Sequence, residues 1–203
     1  MCMSILQYSL LILQYIKQLD RQLLLAINHA HTPALDAVMV FVSNRLVWFP
    51  AYALLIGWLV YHFRYRVLLV LPLVISAVAL ADSITSRLFK PFFERPRPCH
   101  DTAILTQLHL PDGCGGQFGF LSSHAANSMA LAVFIAFLLP TRQFRLFKAI
   151  IFIWALLLSY SRMYLGAHYP TDVLGGAAVG ALLGWAAALC YRSVALRRWP
   201  EPT

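Results

Sequence analysis

Three short stretches of this chain carry side chains whose types and spacing could do chemistry. In Ser161-Arg162-Met163-Tyr164-Leu165-Gly166-Ala167-His168-Tyr169-Pro170-Thr171-Asp172, a guanidinium, an imidazole and a carboxylate lie close together between two long apolar runs. Polar groups beside hydrocarbon are costly, so three at one membrane face point to chemistry. Asp172 can hold one imidazole nitrogen of His168 and leave the other free to attack. Lys90-Pro91-Phe92-Phe93-Glu94-Arg95-Pro96-Arg97-Pro98 offers a point charge at Lys90 and a planar fork at Arg97, a pairing suited to phosphate oxygens. Pro96 and Pro98 fix the chain on both sides of Arg97. Read by itself, the stretch serves equally as a basic patch for lipid headgroups. Leu121-Ser122-Ser123-His124 opens a further apolar run. Serines there are ordinarily helix caps, but the free N–H groups of a helix start also bind phosphate, and a histidine in that turn reaches the same anion. Asn127, one turn on from Ser123, faces the same way or bonds a neighbouring helix.

The elements that position these clusters are membrane helices. Of 203 residues 60% are hydrophobic and 12% charged, too little charge to cover a water-exposed surface. Apolar runs at 48–63, 67–88, 122–140, 145–161 and 173–192 approach the roughly 20 residues needed to cross a ~30 Å hydrocarbon core. The expected fold is all-α, a multispan transmembrane helical bundle with five spans. Residues 4–31 mix Leu and Ile with Gln7, Gln14, Lys17, Asp20, Arg21 and Gln22, which reads as an amphipathic helix at the interface or a weakly apolar first span. Residues 33–44 form a partial or re-entrant segment, and the N-terminal part would bring the spans to six. The expected organisation is an amphipathic and partial membrane segment over 1–47, a catalytic membrane domain over 48–192 and a cytoplasmic tail over 193–203. The only long polar connection, 89–121, is rich in Pro and Gly, and loops of that length are more often functional than idle. Helix parity puts all three clusters at one face of the bundle.

Charge narrows the chemistry. The formal net charge is +8 with eight acidic residues, too few and too scattered for a carboxylate cage around Mg²⁺ or Ca²⁺, so no metal and no cofactor is expected. A basic excess in a membrane protein fits anionic lipid and cytoplasmic loop bias, with the bilayer and a lipid as partners and no nucleic acid. Arg64, Arg66, Arg142, Arg145, Lys148, Arg192, Arg197 and Arg198 gather on one face, which the positive-inside rule places in the cytoplasm. The clusters then look out, to the periplasm or the exterior. Cys99 and Cys114 share the outward loop, as a disulfide or as two thiols. Gly175, Gly176, Gly180 and Gly184 have spacings typical of close helix packing. Asp82, Ser86 and Lys90 repeat every four residues, so Asp82 tunes Lys90 or pairs with a neighbouring helix. His29, His31, His62, His100 and His109 stand outside any motif.

Together, Lys90-x6-Arg97-Pro98, Ser122-Ser123-His124 and Ser161-Arg162-x5-His168-x3-Asp172 resemble the type-2 phosphatidic acid phosphatase superfamily, over about residues 48–192. That superfamily includes lipid phosphate phosphatases, bacterial undecaprenyl-diphosphate phosphatases and vanadium haloperoxidases. The first and third motifs match in full. The middle one is usually Pro-Ser-Gly-His; here Leu121 stands for the proline and Ser123 for the glycine. The resemblance implies that Lys90, Arg97 and Arg162 clamp phosphoryl oxygens, helped by Ser122 and the amide of Ser123. It implies that His168, oriented by Asp172, attacks phosphorus in line, while His124 protonates the leaving oxygen and then activates the water that cleaves the phosphohistidine. Three cations facing the equatorial oxygens would take the place of a metal. The expected protein is an integral membrane lipid phosphatase, with undecaprenyl diphosphate favoured and phosphatidic acid, phosphatidylglycerol phosphate and lipid A phosphates open. Passing the same phosphoryl group to a lipid hydroxyl would make it a phosphotransferase, and a pocket without turnover a lipid-phosphate binding or transport protein.

Overall fold

The computed structural model describes residues 5–198. Its helices are α1 (Ile5–Asn28), α2 (Pro33–Ser43), α3 (Phe49–Phe63), α4 (Val67–Ser83), the short α5 (Lys90–Phe93), α6 (Ser123–Leu138), α7 (Arg145–Tyr164) and α8 (Pro170–Arg198). No strand occurs among the described residues, only an isolated antiparallel bridge between Pro96 and Phe118. The chain is thus an all-α membrane bundle. Arg45–Phe93, α7 and α8 are long and apolar enough to cross a bilayer, and α6 is a shorter apolar helix. The first of these stretches breaks at Arg64, where φ is 47°, and continues as α4 packed against α3. Of the expected tail, 193–198 complete α8; residues 199–203, like residues 1–4 of the expected N-terminal segment, lie outside the described residues.

The bundle is built around α6, whose Ala125, Ala126, Ala130, Ala132, Phe134 and Ile135 are fully buried. Its small residues meet the glycines of α8. A Cβ at Gly176, Gly180 or Gly184 would strike the carbonyl oxygens of Ser122, Ala126 and Ala130 respectively, so glycine alone permits this approach. The expected packing role of the glycines holds. Its consequence is alignment of the two helix starts: the Ser122 N–H donates to the Asp172 carbonyl at 2.9 Å. At the opposite end, Leu59, Val70, Val74, Leu139, Ile151 and Tyr191 form the main apolar core.

Between α4 and α5 the helix widens into a π turn over Ile84–Phe89, a feature common near functional sites. The connection from Glu94 to Ser122 is fixed at many points. Cys99 and Cys114 are joined by a disulfide with Cα atoms 5.8 Å apart. Asn28 exchanges two bonds of 2.8 Å with the His109 backbone and donates to the Tyr164 carbonyl at 2.7 Å. His109 Nε2 meets Asp36 at 2.8 Å, and the Tyr164 hydroxyl donates to the other Asp36 oxygen at 2.7 Å. Here the N-terminal helix departs from an amphipathic surface helix. Its Asp20, Leu24 and Asn28 are buried against α7, α8 and the long connection, while Leu11, Leu13 and Tyr15 are exposed. Asp20 and Asn28 turn inward because they have buried polar partners to meet, while Gln14, Lys17, Gln18 and Gln22 stay exposed.

Candidate active site

The three clusters converge. Lys90, Arg97, Ser123, His124, Arg162 and His168 line one cavity of about 350 Å³, together with Arg45, Trp48 and Tyr52. Local geometry explains the five residues between Arg162 and His168. Helix α7 ends at Tyr164, and Gly166 turns the chain back with φ 66°. The N–H groups of Ala167 and His168 then both donate to the Arg162 carbonyl, at 3.0 and 3.2 Å. A left-handed glycine just past a helix end is the usual device for satisfying its last carbonyls. Here it also brings His168 back beside Arg162.

His168 is 1% exposed, and its Nδ1 stands 3.7 Å from Asp172 Oδ2, within ion-pair range but without a hydrogen bond. Burial, with the nearby positive charges of Arg97, Arg162 and Lys90, holds the imidazole well below its ordinary pKa. Both causes favour the uncharged imidazole. Asp172 is fully buried; its Oδ1 accepts from Arg95 Nη1 at 2.7 Å and its Oδ2 from the Tyr169 N–H at 3.0 Å.

The cations of the cavity pair with neutral oxygens instead of carboxylates. Lys90 Nζ donates to Ser123 Oγ at 3.1 Å. Arg97 donates to the Phe118 and Ala167 carbonyls at 3.3 and 3.4 Å, and its own N–H is fixed by Gln117 O at 3.0 Å. Arg162 Nη1 donates to Ser43 Oγ on α2, and its buried Nε has no partner among the described residues. Ser123 also accepts from Thr85 Oγ1 at 2.9 Å. Ser122, expected to help hold phosphate, is fully buried; its hydroxyl accepts from the Ala125 N–H at 3.4 Å as the α6 cap and does not line the cavity. Asn127 donates to Asp82 at 3.1 Å, so the neighbouring-helix reading holds for both residues, although both also line the cavity.

Several contributors carry no signal in the local sequence. Arg45, which belongs to none of the three clusters, enters the cavity from the turn between α2 and α3. Ser43 and Asp20 lie in the amphipathic and partial membrane segment expected over 1–47, ahead of the expected catalytic domain. Gly115 and Gly119 make room for the clamp: a Cβ at Gly115 would sit 3.2 Å from Arg97 Nη1, and one at Gly119 would sit 3.1 Å from Arg97 Cγ and 3.3 Å from Asp172 Oδ2.

An all-helical membrane bundle whose cations gather around two imidazoles suits the handling of a phosphate at the membrane. Residues 67–196 match the family model of the PAP2 superfamily, and the chain belongs to that superfamily. It is 35% identical over 176 residues to a lipid A 4'-phosphatase of Bacteroides thetaiotaomicron, covering 85% of this chain and 77% of the relative. It is 30% identical over 156 residues to the undecaprenyl-diphosphatase BcrC of Bacillus subtilis, covering 76% and 74%. The crystal structure of Aquifex aeolicus LpxE is similar with a TM-score of 0.63 at 26% identity, over 83% of this chain and 94% of that one.

Proposed function

We propose that this chain removes a terminal phosphate from a glycolipid of the lipid A type through a phosphohistidine on His168. The observation that carries the reading is the placing of His124 and His168 on one cavity with Lys90, Arg97 and Arg162. Nδ1 of His168 faces Asp172, which leaves Nε2 to attack. The P–N bond forms as the ester P–O bond breaks, and His124 gives its proton to the leaving lipid oxygen. His124 then takes a proton from water, whose oxygen attacks phosphorus and frees His168 and inorganic phosphate. Lys90, Arg97, Arg162 and the Ser123 amide hold the equatorial oxygens through both steps. The catalytic residues fall within 48–192, and α1 and α2 brace them through Asp20 and Ser43. The substrate class is supported by the relative that acts on lipid A, aligned over 85% of this chain.

A second reading, undecaprenyl diphosphate, is favoured by Arg45. This fourth cation lines the same cavity and pairs with no carboxylate among the described residues, which suits a second phosphate. The site opens to the periplasm or exterior with the C-terminus cytoplasmic, as the loop charges favour. The deciding experiment is phosphate release by purified protein from lipid A, undecaprenyl diphosphate and phosphatidic acid, with His168→Ala as the control. Preference for lipid A supports the first reading. Preference for the diphosphate, lost in Arg45→Gln, replaces it with the second. Phosphate transferred to an added lipid alcohol instead of water would make the chain a phosphotransferase.

A further inference from the structure

Two carboxylates from opposite ends of the chain, Asp20 on α1 and Asp172 on α8, are 2% and 0% exposed, and a single guanidinium joins them. Arg95 Nη2 donates to Asp20 Oδ2 at 2.6 Å, and Nη1 donates to both Asp172 Oδ1 and Thr171 Oγ1 at 2.7 Å. The same guanidinium lies over the Tyr169 ring, 4.3 Å from its centroid. Asp20 also accepts the Thr171 N–H at 3.0 Å and the Thr171 hydroxyl, so α1 grips the first turn of α8, the turn that presents Asp172. Neither Asp20, Arg95 nor Asp172 lines the phosphate cavity.

We propose that Arg95 and Asp20 are positioning residues for the hydrolysis: Arg95 keeps the Asp172 carboxylate aimed at His168 Nδ1, and Asp20 keeps Arg95 and the start of α8 in place. The inference rests on the phosphohistidine reading above. A buried carboxylate stripped of its counter-charge takes up a proton or turns toward water. In either state it cannot offer a charged acceptor to the His168 N–H as positive charge develops on the attacking imidazole. The carboxylate has few other restraints, since its Oδ2 meets only the Tyr169 N–H at 3.0 Å and the imidazole at 3.7 Å. Lysine cannot replace Arg95, because one ammonium lacks the fork that spans two carboxylates. On this account α1 belongs to the catalytic apparatus.

The test is a double-mutant cycle on purified protein, read by steady-state phosphate release and by vanadate binding. Wild-type turnover, lost in His168→Ala, first establishes the phosphohistidine reading independently. Arg95→Gln and Arg95→Lys are then expected to lower kcat about 10–100-fold, the range found when a partner behind a metal-bound side chain is removed. KM and vanadate affinity should change less than about threefold, because Lys90, Arg97 and Arg162 are untouched. Asp20→Asn should lower kcat in the same direction by a smaller factor. Placed on Asp172→Asn, neither substitution should cost further activity, since residues acting through one group do not add. Additive losses, or a fall in vanadate affinity parallel to the fall in kcat, would overturn the proposal. If Arg95→Gln does not fold, Asp20→Asn carries the cycle, and unchanged kcat there would equally overturn it.

Discussion

Arg95 and Arg97 stand two residues apart, with Pro96 between them, yet they face different surroundings. Arg95 makes three bonds of 2.6–2.7 Å, two of them to buried carboxylates, and its charge is neutralised where it stands. Among the described residues the Arg97 guanidinium donates to carbonyl oxygens alone, at 3.3 and 3.4 Å, and it lines the cavity. Charge-assisted bonds to carboxylates are about twice as strong as those to neutral acceptors. One arginine is thus a fixed structural cation, and the other carries the charge that the proposed mechanism assigns to the phosphoryl group. Residue type does not separate them; what lies opposite each guanidinium does.

Substitutions should split along the same line. The largest effect belongs to the group both regions serve: His168→Ala should lower turnover by about 10⁴-fold or more while leaving phosphate binding in place. Phosphate-release assays beside vanadate binding check this. Next comes the cavity side, where Arg97→Lys or Arg162→Ala should lower kcat/KM by about 10²–10³-fold and weaken vanadate inhibition as well. A kcat loss with unchanged vanadate affinity there would blur the contrast with Arg95. The disulfide braces the loop that carries both arginines. Cys99→Ser with Cys114→Ser should therefore lose about 3 kcal/mol of stability, seen as a lower Tm in detergent, with a smaller loss of activity. Gly180→Ala forces α6 from α8 and should lower stability by about 1–3 kcal/mol. Because it parts the cavity side from the buried side, activity should fall with it.

Two conditions test the mechanism without a substitution. EDTA should leave turnover intact, since the proposed mechanism holds the phosphoryl oxygens with Lys90, Arg97 and Arg162, and Asp82 is the only carboxylate lining the cavity among the described residues. Inactivation by EDTA, reversed by an added divalent ion, would refute this. The pH profile should be bell-shaped. His168, held below its ordinary pKa, stays unprotonated through neutral pH, so its acid limb lies below the ordinary imidazole value of about 6.5, and activity is lost as pH falls through it.

Much of this protein was legible in the chain. Apolar runs of bilayer length dictate a helical bundle, because a backbone in hydrocarbon must satisfy its own hydrogen bonds. The spans at 48–63, 122–140 and 145–161 appear as Phe49–Phe63, Ser123–Leu138 and Arg145–Tyr164, shifted only at their ends. Lys90, Arg97, His124, Arg162 and His168 announced themselves as polar groups where polar groups are costly. The rest depended on contacts between residues far apart in sequence. Asp20, Arg45, Ser43 and Arg95 look like ordinary surface residues until the fold sets Asp20 beside Asp172's guanidinium partner, Arg45 on the cavity and Ser43 beside Arg162. Ser122 shows the converse: its type suited phosphate, and its place at the head of a buried helix made it a cap. Local sequence determines which side chains could bear charge and which segments enter the membrane. Which charge is matched and which is left for a ligand is decided only by distance and burial, and these exist only once the chain has folded.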